Sequence, residues 1–238
     1  MISDKIRLRA IILAGGKGTR LGNLTKKIPK PLIKIKNKEF LTYLIEYLKK
    51  NKVEEFIITT SYKNNLFNEY LKKKKFKKIK LIYEKEELGT GGSFLNVLKK
   101  TKYKKKFYNI LCNADTLTLF SIDSIYKKII QYGNSILAVK KENCKRYGRL
   151  KIKGNNIVDI ERNNSKRGLI SSGMFFFKKI DLKIFDKRSK KLDFEKDILK
   201  KMINNKIKIK YIKSNKPFID IGIPEDLKRA KKFIIKNL

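Results

Sequence analysis

A short apolar run that ends in bare glycines constrains this chain more than any other feature. Residues 8–13 are apolar but for Arg9. Ala14-Gly15-Gly16-Lys17-Gly18-Thr19-Arg20-Leu21 follows at once, with Pro29-Lys30-Pro31 shortly after. A run of that length bounded by glycine reads as a buried strand. The glycines beyond it leave backbone N–H groups that no Cβ holds away from a ligand. Arg20 and Lys30 bring two cations to the same strand end, which provides for a triphosphate. Spacing excludes two other phosphate loops. A P-loop needs Gly-Lys followed by Ser or Thr, whereas Lys17 stands between glycines. The dinucleotide fingerprint needs a third glycine where Leu21 stands.

Residues 55–60, 79–83, 107–112 and 135–139 are short β-branched or aromatic runs. Between them Phe40, Leu41, Leu44, Ile45 and Leu48 share one helical face, as do Ile122, Ile125, Ile129 and Ile130. This alternation predicts right-handed crossovers, a mainly parallel sheet, helices on both faces and ligands at the C-terminal strand ends. The second half changes character. Residues 150–153 and 157–160 flank Gly154-Asn155-Asn156 as a hairpin, 171–177 read as a strand and 194–203 as a helix. Pro224-Glu225-Asp226 opens a closing helix, since proline and acids suit a first turn. With neither a repeat nor a linker, residues 1–238 are expected to form one domain with halves meeting near residue 140.

Sixty-one Lys and Arg against 22 Asp and Glu give a formal charge of +39, which invites a nucleic-acid reading. The excess is mostly lysine spread along the chain beside abundant Ile and Asn, as a codon bias produces. Runs such as 72–75 and 104–106 fall between apolar segments, where solvated loops and helix ends belong. No RNA-binding aromatic motif or recognition helix accompanies them. No specific nucleic-acid partner is expected, only weak adhesion to polyanions at low salt. No apolar segment approaches the ~20 residues of a membrane span. Lys5, Arg7 and Arg9 break up what would otherwise resemble a signal peptide. Cys112 and Cys144 make neither a metal spacing nor a disulfide framework, and a cytoplasmic enzyme fits these features. The chain has no histidine, so histidine-based catalysis is excluded.

Leu13 to Leu21 with its downstream Pro-Lys-Pro resembles the signature of the sugar-1-phosphate nucleotidyltransferases, the pyrophosphorylases that make nucleotide sugars. The resemblance continues through Leu88-Gly89-Thr90-Gly91-Gly92, Asn113-Ala114-Asp115, Tyr147-Gly148, Glu161-Arg162 and Asp220-Ile221-Gly222, nearly the whole chain. It implies a Rossmann-like, three-layer α/β sandwich with a mixed, mainly parallel sheet. Residues 1–140 would form the nucleotide half and 141–238 the sugar-phosphate half. The chain ends soon after its closing helix, so the β-helix extension of longer relatives is not expected. Short length, the Leu-Gly-Thr-Gly-Gly segment and Ser171-Ser172-Gly173 look closest to the branch that guanylylates D-glycero-α-D-manno-heptose 1-phosphate. Mannose 1-phosphate guanylyltransferases and uridylyltransferases on another sugar 1-phosphate are the alternatives. Homo-oligomer formation stays open.

The resemblance also assigns residues. Leu13, Ala14, Gly15, Gly16, Gly18, Thr19, Arg20, Gly89, Thr90 and Asn113 would bind the nucleoside triphosphate. Arg20 would grip the leaving phosphates with its planar fork. Lys30, held between prolines, would reach the reacting phosphates and the sugar phosphate; Lys17 is a weaker candidate. Asp115 and Asp220 would hold Mg²⁺, a hard cation that takes oxygen ligands. Arg20, Lys30 and Asp115 are thus the expected catalytic set. Tyr147, Gly148, Glu161, Ser171 and Ser172 match the sugar pocket. Two departures stand there: Glu161-Arg162 replaces the usual Glu-Lys, and Ser171 replaces an Asn, so the sugar of the commonest members does not transfer. Glu84 has two readings. It accepts the two adjacent donors of guanine, which favours GTP, or it belongs to a solvated acidic cluster with Glu86 and Glu87.

Overall fold

The computed structural model describes residues 7–101, 107–162, 166–185 and 191–238. Lys5 and the 104–106 lysine run lie outside these residues. The strands are β1 (Arg7–Leu13), β2 (Lys34–Ile35), β3 (Lys38–Glu39), β4 (Val53–Thr60), β5 (Ile79–Tyr83), β6 (Phe107–Asn113) and β7 (Thr116–Thr118) in the first half. In the second are β8 (Ser135–Lys141), β9 (Arg149–Lys153), β10 (Asn156–Glu161), β11 (Gly168–Phe177), β12 (Lys210–Ser214) and β13 (Phe218–Asp220).

Nine of these form one sheet in the order β5-β4-β1-β6-β11-β8-β12-β10-β9. The β5-β4-β1-β6 block is parallel throughout. β11 then runs antiparallel to both β6 and β8, while β12 enters parallel to β8. The parallel pattern therefore belongs to the first half, and the second half is mixed. β2, β3, β7 and β13, two or three residues each, were not foreseen because so short a run carries no period. β12 was also missed, since lysines flank its single buried Ile212.

Strand side chains alternate between two cores, as the pleat requires. Leu8, Ala10 and Ile12 of β1 face the helices Phe40–Lys50, Asn64–Lys74, Ile122–Tyr132 and Pro224–Asn237. Ile11 and Leu13 face the helix Gly89–Lys100 and the segment after Asp193. Three layers result. Ile122, Ile125 and Ile129 are buried as their spacing predicts, but Ile130 is exposed at the margin of that face. Arg9 of β1 is buried. Its Nε donates to Asn109 Oδ1 on β6 at 2.9 Å, and burial lowers its pKa. Such a charge is retained in a strand only where a neighbour satisfies it.

The expected helix over 194–203 begins as a π-helical stretch, Phe194–Leu199, and becomes α-helical at Lys200–Asn204. The Asp193 carboxylate accepts from the backbone N–H of Glu195 and Lys196 and caps that start. Lys72 and Lys73 are exposed at a helix end, as solvated lysines should be. Among the described residues no helix is long and apolar enough to cross a membrane.

Candidate active site

The parallel block brings three strand ends together. The Ala14 N–H donates to Thr59 O of β4 at 3.0 Å, and the Ala114 N–H donates to Leu13 O at 3.1 Å. The glycine loop is thereby fixed at both sides where β1 ends. Gly18 sits at φ +67°, a conformation glycine adopts without strain, and its carbonyl accepts from the buried Thr25 hydroxyl at 3.1 Å. A Cβ there would lie 3.0 Å from the Lys30 side chain, so the loop and the lysine stem pack on each other.

Lys30 is not a loose loop lysine. Pro29 holds φ −54° at the start of a 3₁₀ turn, and Lys30 within it is only 7% exposed. Its Nζ reaches Asp115 Oδ2 at 2.8 Å across 85 residues of chain. Asp115 lies just past β6, and its carbonyl accepts from the Ile221 N–H at 2.9 Å. Through that bond and the β7–β13 pairing of Thr116 with Asp220, the two predicted metal carboxylates come to one place. The Asp220 carboxylate accepts from Arg146 NH2 at 3.1 Å, from the Gly222 N–H at 3.0 Å and from the Tyr147 hydroxyl.

Three adjoining chambers open at this edge. The central one, about 340 Å³, is walled by Leu13, Ala14, Gly16, Gly18, Arg20, Lys30, Thr90, Asn113 and Asp115. A second of about 150 Å³ shares Arg20, Asn113 and Asp115 with it and adds Tyr147, Gly148, Ser171, Ser172 and Asp220. A third of about 440 Å³ lies between Gly15, Gly16, Glu84, Gly89 and Thr90. Nearly all the residues singled out from the sequence thus meet, although the chain separates them widely. Thr19 is exposed on the turn after Gly18, and Lys17 is drawn outward to Glu87 at 3.9 Å.

Glu84 is 3% exposed, so the solvated-cluster reading is the wrong one. The Ser93 hydroxyl donates to Oε2 at 2.7 Å and Asn96 Nδ2 to Oε1 at 3.3 Å. Burial raises its pKa against those donors. Gly15 lets the loop approach it, since a Cβ there would lie 3.2 Å from Glu84 Oε2.

The segment 88–92 starts the helix Gly89–Lys100. Its glycines serve close approach. The N–H groups of Gly91 and Gly92 both donate to Leu192 O, at 2.7 and 3.3 Å, and the Thr90 hydroxyl accepts from the Phe194 N–H at 2.9 Å. At Gly89, φ is +67° and a Cβ would lie 2.4 Å from Leu192 O. Gly89→Ala should therefore cost about 1–3 kcal/mol of stability. Urea unfolding checks this, and a loss below a few tenths would show that the 192 segment yields freely.

Glu161 departs from expectation. Its Oε2 accepts from Arg149 Nε at 2.8 Å and NH2 at 2.6 Å, and it lines none of the three chambers. Arg162 and Glu195 stand in the central and second chambers instead. Sequence reasoning also missed Arg146 and Asp226. Asp226, 2% exposed, accepts from Arg146 NH2 at 2.7 Å, and the same guanidinium reaches Asp220. Burial would raise the Asp226 carboxyl, but the arginines beside it hold it below its ordinary value. Its place in a helix's first turn explained the acid locally and concealed this partner. For Arg146 the only available signal was adjacency to Tyr147-Gly148.

Comparisons with known proteins agree with this geometry. A family model described as nucleotidyl transferase matches residues 9–237. The D-glycero-alpha-D-manno-heptose 1-phosphate guanylyltransferase of Campylobacter jejuni is 37% identical over 97% of this chain and 100% of the relative. That of Aneurinibacillus thermoaerophilus is 32% identical over 94% of this chain and 97% of its own. The crystal structure of HddC from Yersinia pseudotuberculosis complexed with GMP-PN superposes with a TM-score of 0.79 at 32% identity, covering 95% of this chain and 99% of that one. An inositol-1-phosphate CTP transferase from T. maritima, at 20% identity and a TM-score of 0.80, shares the fold.

Proposed function

The chain belongs to the nucleotidyl transferase family, and we propose that it transfers GMP from GTP to D-glycero-α-D-manno-heptose 1-phosphate, giving GDP-heptose and pyrophosphate. Buried Glu84 in the wall of the third chamber carries the choice of guanine. A carboxylate only accepts hydrogen bonds, and guanine offers two adjacent donors where uracil has one between carbonyls. The names of the two relatives that match nearly end to end support the heptose acceptor.

In this reading residues 1–140 hold the nucleotide and 141–238 the sugar phosphate. An oxygen of the sugar phosphate attacks the α-phosphorus in line. The new P–O bond forms as the bond to the β-phosphate bridging oxygen breaks, and pyrophosphate leaves. No base is needed, since the attacking phosphate is already ionised, and no histidine exists to serve as one. Positioning and charge neutralisation are what the protein supplies. The glycine loop donates backbone N–H groups to the triphosphate, Arg20 binds the leaving phosphates and Lys30 the reacting ones.

Asp115 and Asp220 fit a hard divalent cation. Both are carboxylates in the wall of one chamber, which suits Mg²⁺ shared with substrate phosphates. When bound there, Mg²⁺ would neutralise phosphate charge and help hold the triphosphate in line. Lys30 and Arg146 balance the same carboxylates and keep them placed.

The test is pyrophosphate release over a grid of GTP, UTP, CTP and ATP against heptose, mannose and glucose 1-phosphates. GTP with the heptose is expected to dominate. Glu84→Gln should lower the GTP-to-UTP preference about tenfold, from mispaired buried groups worth ~1–3 kcal/mol. Because burial raises the Glu84 pKa, its accepting form is lost on acidification sooner than for an ordinary glutamate. The KM for GTP should rise as pH falls, and the Gln variant should flatten that rise. An unchanged GTP-to-UTP ratio would show that the base is read elsewhere.

A further inference from the structure

Two acids compete for the part of the cleft that would hold the sugar, and their surroundings separate them. Glu161 lies on β10 opposite Arg149 of β9, and both of its bonds to that guanidinium run along the sheet. A Cβ at Gly168 would lie 2.7 Å from the Arg149 side chain, so the arginine is packed in place. Glu161 is thereby committed to holding the β9–β10 pair.

Glu195 enters from the other side, at the start of the π-helical stretch, with its backbone N–H fixed on Asp193 Oδ1 at 2.9 Å. It stands in the wall of both the central and the second chamber. Its Oε2 accepts from Arg162 NH2 at 2.7 Å, and Ser171 shares the walls of both chambers with it. Gly148 makes room for it: a Cβ there would lie 3.3 Å from Glu195 Oε2. Ser172, in the wall of the second chamber, is fully buried with a hydroxyl that has no partner among the described residues. Four positions expected to form the sugar pocket (Tyr147, Gly148, Ser171 and Ser172) therefore share the wall of the second chamber with Glu195, and Glu161 is not in that wall.

We infer that Glu195 is the carboxylate that reads the sugar hydroxyls, a specificity role resting on the proposed sugar 1-phosphate reaction. A carboxylate accepts from two neighbouring hydroxyls at once and repels phosphate oxygens. It therefore admits the hydroxyl-bearing side of the sugar and turns the phosphate toward Arg20 and Lys30. Arg162 holds the carboxylate in that attitude.

The experiment compares Glu195→Gln and Glu161→Gln with the unaltered enzyme, at saturating GTP and Mg²⁺ with heptose 1-phosphate varied. Charge-assisted hydrogen bonds of this kind correspond to about 10–100-fold in affinity, so Glu195→Gln should raise the sugar KM by that factor. Its KM for GTP should stay within about twofold, and Glu161→Gln should move the sugar KM less than about threefold, below the worth of one such bond. Monodeoxy analogues of the sugar 1-phosphate separate recognition from damage. Removing the hydroxyl that Glu195 accepts should weaken the unaltered enzyme but add little to the loss in the variant, whereas mere disorder would penalise every analogue alike. Glu195→Asp, which withdraws the carboxylate by one methylene, should show the same selective rise and serves if the Gln variant fails to fold.

An unchanged sugar KM in the Glu195 variants, or a larger defect from Glu161→Gln, overturns the assignment. If the unaltered enzyme rejects the heptose but accepts another sugar 1-phosphate, the proposed acceptor falls alone, and the same comparison on that sugar decides for Glu195. If it accepts no sugar 1-phosphate, both readings fall.

Discussion

Lys30→Met is expected to lower kcat by about 10²–10³-fold, the effect of removing one preorganised charge-stabilising group worth ~3–4 kcal/mol. The methionine retains an apolar stem against Gly18 while the ammonium is lost. Lys30→Ala should show the same kinetic loss with an added cost in stability, because this lysine is buried in a turn. Removing Nζ also leaves the Asp115 carboxylate without its 2.8 Å partner. A Met variant that turns over near the unaltered rate, measured by pyrophosphate release, would remove Lys30 from the transition state.

Asp115→Asn and Asp220→Asn should each raise the Mg²⁺ concentration needed for half-maximal rate and depress turnover by about 10²-fold, the scale of losing one charged group at a phosphoryl-transfer centre. An amide keeps the shape but loses the charge. The two differ in their surroundings. In Asp115→Asn the Lys30 ammonium loses its ion pair, whereas Asp220→Asn disturbs Arg146 and Tyr147 together. Calorimetric titration of Mg²⁺ in the presence of GTP gives a reading independent of turnover. A residue whose Asn variant leaves both titrations unchanged is not a ligand, and its carboxylate then serves only to hold the neighbouring cations.

Glu84 and Glu161 mark how far the sequence could be read. Both are acids beside hydrophobic runs; local pattern left Glu84 with two readings, and the family resemblance placed Glu161 in the sugar pocket. Glu84 is drawn under cover by Ser93 and Asn96, which a helix beginning at Gly89 brings round to it. Glu161 is claimed by Arg149 across a hairpin whose turn, Gly154 at φ +58°, was evident from the sequence. The turn was legible but the pairing was not, because which side chain meets which across a ladder depends on register. Arg146 and Asp226 repeat the lesson at a separation of 80 residues.

By itself the sequence determined the local elements. A strand must end where glycines begin at residue 15, the alternation of runs in the first half produces a parallel block, and Pro29-Lys30-Pro31 places a cation near the loop. Each of these follows from backbone sterics or from a period within a few residues. Tertiary structure alone decided which charges neutralise each other. Lys30 meets Asp115, Arg146 spans Asp220 and Asp226, and Glu195 instead of Glu161 faces the second chamber. The meeting of Asp115 and Asp220 follows from strand pairing, in which β6 lies beside β1 and β13 pairs with β7 just past Asp115. Coulombic and hydrogen-bond partners are chosen by distance in space, and neither composition nor periodicity contains that distance.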